Sequence, residues 1–194
     1  MEKLTGLLFG SFNPIHTGHL IIANYFVQYS DIEEVWFVVS PHNPLKNREE
    51  LLDGHARYEL VCKAIEDNPF FRPCDQEMKM GTPSYSYKTI EKIQGDFPGR
   101  EFVLIIGSDN LDEFDQWKNH EKILEMIRVF VFPRGKGTHS EFLEHPSVKL
   151  FPAPKVEISS TFIREGVRAG KDMRYFLPDK ALEMIRQQGY YRQG

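Results

Sequence analysis

The sequence predicts an α/β fold built on a parallel sheet, and two observations support that prediction. Short apolar runs bounded by turn residues recur along the chain, as buried parallel strands do. Longer mixed segments separate these runs, and strands that alternate with helices form parallel sheets. The predicted strands are Leu4–Phe9, Val35–Val39, Phe102–Ile106, Arg128–Phe132 and Val148–Phe151. The predicted helices are Gly18–Tyr29, His55–Glu66, Ser86–Ile93, Glu121–Met126, Thr161–Ala169 and Asp179–Gln188.

Length and composition narrow the class of protein. With 194 residues, 41% of them hydrophobic, the chain suits one well-buried domain spanning 1–194 better than two. The net charge of −4 argues against a nucleic-acid partner, and there is no apolar run long enough for a membrane span. Cys62 and Cys74 lack a C-x-x-C spacing and no signal segment precedes the first strand, which predicts a cytoplasmic protein. A homo-oligomer is compatible with this pattern.

The first predicted strand runs directly into a glycine-punctuated turn, GSFNPIHTGH, at residues 10–19. Gly10 permits a tight turn, and Thr17 is a candidate cap for the helix that follows. His16 and His19 are three residues apart and therefore fall on one helical turn. Because a helix start after a strand attracts anions, the two imidazoles are predicted to face a phosphate.

Other interpretations of this turn are weaker. The nearby sequence has no Cys, Asp or Glu at a spacing that would complete a zinc site with the two histidines. A P-loop would need Lys-Ser or Lys-Thr after the second glycine, and the chain has neither there. Purely structural histidines remain an open alternative.

A second group of polar residues lies at the start of the predicted helix near residue 160. Ser159, Ser160 and Thr161 supply three consecutive hydroxyls, and Arg164 lies four residues beyond Ser160 on the same face. A serine-rich helix start is most often only a cap. A guanidinium beside hydroxyls and open amides also suits the β- and γ-phosphates of a nucleoside triphosphate.

Together, these two segments resemble the motifs of the nucleotidylyltransferase superfamily, whose adenylyltransferases use an H-x-G-H turn and an I-S-S-T-x-[IV]-R segment. The chain has HTGH at residues 16–19 and ISSTFIR at residues 158–164. The similarity continues through GSDNL at 107–111, Trp117, Arg134 and the C-terminal segments LP at 177–178 and GYY at 189–191, and so spans nearly the full chain. Within the superfamily the chain most resembles the nicotinate-nucleotide adenylyltransferases of bacterial NAD synthesis.

The resemblance implies a Rossmann-like doubly wound parallel sheet and adenylyl transfer from ATP to nicotinate mononucleotide. It implies Mg²⁺ as cofactor, bound mainly through substrate phosphates rather than in a protein metal cage. The catalytic residues that it implies are His16, His19 and Arg164. Those for ATP binding are Gly10, Ser11, Phe12, Lys46, Gly107, Asp109, Arg134, Ser159, Ser160 and Thr161. Those for the mononucleotide are Asn13, Tyr85, Ser86 and Trp117.

Three of these residues have ordinary alternatives. Asp109 is expected to accept hydrogen bonds from ribose hydroxyls, or else to cap the helix that follows it. Trp117 stacks on the pyridine ring or is a partly buried surface aromatic. Arg134 lies near the adenine or is a solvated loop residue.

The chain departs from the family pattern at two positions. Lys88 stands where the family often has an acid, and Leu45 stands where a histidine usually precedes the lysine that matches Lys46. The first departure concerns the acceptor side of the predicted site, and the second leaves open whether His42 or Leu45 faces the site. Neither affects the predicted phosphate-binding residues. Alternative functions are adenylyl transfer to nicotinamide mononucleotide or to phosphopantetheine, and nucleotide sensing without catalysis.

Overall fold

A computed structural model of the chain describes residues 4–41, 51–81, 83–136 and 139–192. Six strands in these ranges form one parallel sheet in the order β3-β2-β1-β4-β5-β6. The first three strands extend the sheet from β1 to one edge. Strand β4 then pairs with the other side of β1, and β5 and β6 extend the sheet to the opposite edge. This order makes the gap between β1 and β4 the switch point at which such sheets bind ligands. The strands are β1 (Leu4–Gly10), β2 (Glu34–Val39), β3 (Phe71–Cys74), β4 (Glu101–Gly107), β5 (Arg128–Phe132) and β6 (Val148–Leu150).

Eight helices connect or follow these strands in the described ranges, with short 3₁₀ segments at 114–116 and 141–144. None of the helices in the described ranges has the length and apolar character needed to cross a membrane. The helices are α1 (Thr17–Tyr29), α2 (Gly54–Ile65), α3 (Gln76–Lys79), α4 (Ser86–Asp96), α5 (Ser108–Asp112), α6 (His120–Met126), α7 (Ser160–Arg168) and α8 (Asp179–Gln188).

The predicted α/β class and all the predicted elements are confirmed, with ends that differ by at most three residues. The prediction missed β3, α3 and α5. Strand β3 has only four residues and contains Pro73, which removes a backbone donor and hides the strand signal. Helices α3 and α5 have four and five residues, too short to show helical periodicity.

The sheet is buried on both faces. On β4, Val103 and Ile105 face one apolar cluster, whereas Phe102, Leu104 and Ile106 face the other. Helices α1, α2, α7 and α8 contribute to the first cluster, and α4, α5 and α6 to the second. Two-sided burial explains why the strands are continuous apolar runs rather than alternating ones.

A buried arginine holds together the segments that leave β1 and β2. Arg57 on α2 has no exposed surface, and its guanidinium donates hydrogen bonds to four backbone carbonyls. The acceptor from the segment after β1 is Ser11 O, and Leu52 O lies 2.8 Å from Nε. The others are Ser40 O and Pro41 O, each 2.8 Å away at the end of β2. Arg57 thus fixes the distance between the ends of two neighbouring strands.

We predict that Arg57→Met lowers the free energy of unfolding by about 3 kcal/mol or more, because it leaves four carbonyls without their donor. Urea unfolding followed by circular dichroism measures the loss. Lys63→Met on the same helix is the matched control, since its side chain is 54% exposed and its change should stay within about 0.5 kcal/mol. Equal stability of the two variants would contradict the role given to Arg57.

Candidate active site

The site lies at the carboxyl end of β1, where residues 10–19 turn from the strand into α1. Phe12 has a φ of 44°, in the left-handed region, and its ring is buried over Gly10. A Cβ atom on Gly10 would lie 2.9 Å from that ring. Position 10 therefore requires glycine because the Phe12 ring lies so close to it, more than because its backbone must be flexible.

Donors from two distant helices bind the carbonyls of this loop. Besides the bond from Arg57 to Ser11 O, the Nη1 atom of Arg164 donates to Asn13 O at 3.0 Å. Ser160 Oγ donates to Pro14 O at 2.9 Å. The structure thus brings the 10–19 loop and the start of α7 into direct contact, as the pairing of the two motifs predicts.

Two side chains at these helix starts have local roles. The Ser159 hydroxyl accepts a hydrogen bond from Phe162 N at 3.1 Å, and Ser159 is therefore the N-cap of α7. The prediction that Thr17 caps α1 is wrong, because His16 occupies the N-cap position. Thr17 instead binds the turn before α8, donating from N to Phe176 O at 2.9 Å and from Oγ1 to Tyr175 O at 3.0 Å.

The two histidines form one unit. Their ring centroids are 3.8 Å apart, and the backbone N–H of His16 donates to Nδ1 of His19 at 3.2 Å. Because Nδ1 of His19 is an acceptor, the ring proton of His19 resides on Nε2. The geometry leaves Nε2 as the N–H donor of this ring.

His16 is buried, with 3% of its surface exposed. Burial lowers the pKa of His16, the nearby charge of Arg134 acts in the same direction, and together they bring it to about 4. The imidazole is therefore neutral at pH 7. Its Nδ1 atom is buried and has no hydrogen-bond partner among the described residues. A buried polar atom in this state is suited to a ligand that supplies the missing partner.

A second edge of the site is formed where β4 and β5 end. Ser108 is buried, and its hydroxyl both donates to Arg134 O at 2.8 Å and accepts from Arg134 N at 2.9 Å. The carboxylate of Asp109 is exposed and lies 3.6 Å from Nε of Arg134. Gly107, not Asp109, is the N-cap of α5, so the alternative role of Asp109 as a cap is wrong. A Cβ on Gly107 would lie 2.4 Å from the Asp109 carboxylate.

A third edge is the start of α4. Tyr85 is the N-cap of this helix and Ser86 is its first residue. Lys118 Nζ lies 4.4 Å from the centre of the Tyr85 ring. The half-buried Trp117 packs on Phe114 with ring centres 5.3 Å apart. The structure thus places Lys118, the neighbour of Trp117 in sequence, beside the ring of Tyr85.

Residues that sequence reasoning missed hold the predicted ones in place. Tyr191 donates from its hydroxyl to Asn13 Oδ1 at 3.0 Å, and Leu52 N donates to the same atom at 3.2 Å. Burial raises the pKa of Tyr191 above its ordinary value, which keeps the hydroxyl a donor. Arg57 is also a missed residue, and no local pattern marks it. Ser108 and Tyr191 lie in the GSDNL and GYY segments of the family resemblance, but no role was predicted for either. The predicted residue Lys46 lies outside the described residues.

Comparisons with known proteins show to which family the chain belongs. A family model described as cytidylyltransferase-like matches residues 7–166. A protein of Cytophaga hutchinsonii named "Probable nicotinate-nucleotide adenylyltransferase" is 47% identical over 186 residues, which are 96% of this chain and 97% of that protein. The chain belongs to the nicotinate-nucleotide adenylyltransferase family. A Bacteroides thetaiotaomicron protein of the same name is also 47% identical, over 97% of this chain and 93% of its own.

A solved structure agrees with the family at the level of the fold. The Plasmodium falciparum nicotinic acid mononucleotide adenylyltransferase complexed with NaAD matches with a TM-score of 0.82 over 98% of both chains. The sequence identity is 20%, so this likeness concerns the arrangement of strands and helices. The doubly wound sheet of the nucleotidylyltransferase type is thereby confirmed.

We predict a stability difference between pH 7 and pH 5 that depends on His16. Its pKa falls from an ordinary 6.5 to about 4 on folding, so at pH 5 the unfolded chain binds a proton that the folded chain does not. The free energy of unfolding is therefore unaffected by the titration of His16 above about pH 6.5, and it decreases as the pH falls toward 4. Between pH 7 and pH 5 the parent protein should lose about 2 kcal/mol more than His16→Asn.

Urea unfolding at the two pH values measures this difference. The asparagine side chain is similar in size to part of the imidazole and does not titrate. Equal losses in the parent and the variant would show that His16 is not held neutral by burial.

Proposed function

We propose that this chain transfers the adenylyl group of ATP to nicotinate mononucleotide, releasing pyrophosphate and forming nicotinate adenine dinucleotide in NAD biosynthesis. The observation that carries the proposal is the contact between the two motifs. Arg164 and Ser160 on α7 bind the loop that holds His16 and His19, so imidazoles, hydroxyls and a guanidinium lie around one loop. Relatives with nearly the same length and 47% identity carry the corresponding name.

The chemistry needs alignment more than proton transfer. The 5′-phosphate of the mononucleotide attacks the α-phosphorus of ATP, a new P–O bond forms, and the bond to pyrophosphate breaks. A phosphate monoester is already anionic at neutral pH, so no general base is needed. The protein contributes by holding two anionic groups in line and by stabilising the charge that moves to the leaving group.

We assign the phosphates of ATP to the loop and to α7. His16 and His19 donate hydrogen bonds to the α- and β-phosphates. Because His16 is neutral, it can donate from a buried position without the free-energy cost of burying a charge. Arg164, together with residues 159–161 at the start of α7, holds the leaving pyrophosphate. The bond from Arg164 to Asn13 O orients a guanidinium that has five N–H donors in total. Lys46, which lies outside the described residues, stays a predicted phosphate ligand.

Mg²⁺ fits this site as an ion carried by the substrate. The described residues contain no group of three or more His, Cys, Asp or Glu side chains arranged to hold a metal. Phosphate oxygens and water suit Mg²⁺ better than a dedicated protein cage. Mg²⁺ would supply positive charge that offsets part of the charge on the substrate phosphates.

The remaining residues orient the two nucleosides. Asp109 accepts hydrogen bonds from the ribose of ATP, and Arg134 lies near its adenine, at the edge that Ser108 stabilises. Trp117 stacks on the pyridine ring. The open N–H groups and hydroxyl at Tyr85 and Ser86 bind the nicotinate carboxylate, since a helix start favours an anion. The organisation as one domain and the cytoplasmic location stay predictions.

The choice of acceptor tests the proposed function. A site of backbone N–H and hydroxyl donors satisfies a carboxylate, whereas it leaves the NH₂ of a carboxamide facing other donors. We therefore expect kcat/KM to favour nicotinate mononucleotide over nicotinamide mononucleotide by at least about tenfold, or about 1.4 kcal/mol. Pyrophosphate release with each acceptor, at fixed ATP and Mg²⁺, measures the ratio.

Other results of the same assay favour the other functions. Equal rates with the two mononucleotides would contradict the assignment of the carboxylate site. Release with phosphopantetheine instead would identify a different acceptor. ATP binding without release for any of the three acceptors would point to a nucleotide sensor.

Removing the second imidazole tests the phosphate assignment. His19→Ala should fold normally and reduce kcat by about 10²–10³, the loss typical of deleting one preorganised donor at developing charge. His55→Ala removes an exposed histidine at the start of α2 and serves as the matched control, with unchanged turnover expected. A folded His19→Ala variant with the turnover of the control would make His19 purely structural.

A further inference from the structure

A buried carboxylate that the proposed mechanism does not use lies behind the acceptor edge of the site. Glu77 on α3 is 4% exposed. Its Oε2 atom accepts a hydrogen bond from Ser40 Oγ at 2.9 Å, and its Oε1 atom accepts one from Ser84 Oγ at 2.7 Å. Each carboxylate oxygen therefore binds a serine from a different segment.

Both serines border the site. Ser84 directly precedes Tyr85, the N-cap of α4, and is itself buried. Ser40 directly follows β2, and its carbonyl oxygen is one of the acceptors of Arg57. Since Arg57 also binds Ser11 O, a continuous series of hydrogen bonds joins the 10–19 loop to the start of α4.

Stability alone does not account for this carboxylate. Burial raises the pKa of Glu77, while the two serine hydroxyls and the charge of Arg57 act in the opposite direction. A buried carboxyl group of this kind contributes little net stability compared with a well-packed apolar residue. Its two hydrogen bonds, however, fix the positions of two segments relative to each other.

The geometry points to Glu77 as a positioning residue for the acceptor: by holding Ser84 against Ser40, it sets the start of α4 at the distance from the phosphate-binding loop that a pyridine mononucleotide spans. This inference rests on the proposed function. The mononucleotide has its carboxylate at one end and its attacking phosphate at the other, so a shift of α4 changes how it binds. In the proposed assignment ATP is held by the 10–19 loop, the start of α7 and the edge formed by β4 and β5, so a shift of α4 should affect it less.

Steady-state kinetics with each substrate varied in turn test the inference. Glu77→Ala should raise KM for nicotinate mononucleotide at least tenfold, while KM for ATP changes less than about threefold. Glu77→Gln keeps an acceptor of the same shape and should recover most of the loss. Lys79→Ala, an exposed residue on the same short helix, is the matched control and should behave as the parent protein does.

Ser84→Ala keeps the inference testable if Glu77→Ala does not fold, since it removes one hydroxyl and leaves the carboxylate. It should raise KM for the mononucleotide several-fold and leave KM for ATP unchanged. KM values that rise equally for both substrates, or that stay unchanged in a folded variant, would overturn the positioning role. A parent protein that releases no pyrophosphate with any mononucleotide would overturn the proposed function instead, before any variant is compared.

Discussion

The hydrogen bonds to the carbonyls of the 10–19 loop are the constraint on which the rest of the site depends. Arg57 binds Ser11 O, Arg164 binds Asn13 O, and Ser160 binds Pro14 O. These donors come from α2 and α7, which pack on the same face of the sheet. Buried carbonyls need such partners, so the loop has a defined shape only when both helices are docked. Folding of the core and formation of the site are therefore one event.

This constraint explains how a chain with a net charge of −4 can hold a polyanionic substrate. The positive groups are local, and backbone carbonyls accept hydrogen bonds from both Arg57 and Arg164. His16 is neutral because it is buried. The site therefore combines fixed charges with uncharged donors, an arrangement that stabilises phosphates without drawing in long polyanions.

Local sequence patterns were enough to predict the parts of the site in which the functional residues lie within a few positions of one another in sequence. The histidine turn and the hydroxyl-rich start of α7 each have a recognisable spacing, and their order predicted that they meet. The role of Thr17 could not be predicted, because its hydroxyl donates to Tyr175 O, which lies 158 residues away in sequence. Glu77 and Arg57 were missed for the same reason: their partners come from segments distant in sequence, and no short motif records such contacts.

A crystal structure with nicotinate mononucleotide and a non-hydrolysable ATP analogue tests the central claim most directly. The account predicts phosphate oxygens within hydrogen-bond distance of His16, His19 and the start of α7. It also predicts that the bonds to the carbonyls of Ser11, Asn13 and Pro14 persist in the complex. A triphosphate bound elsewhere, or a loop that releases these carbonyls to admit it, would contradict the account.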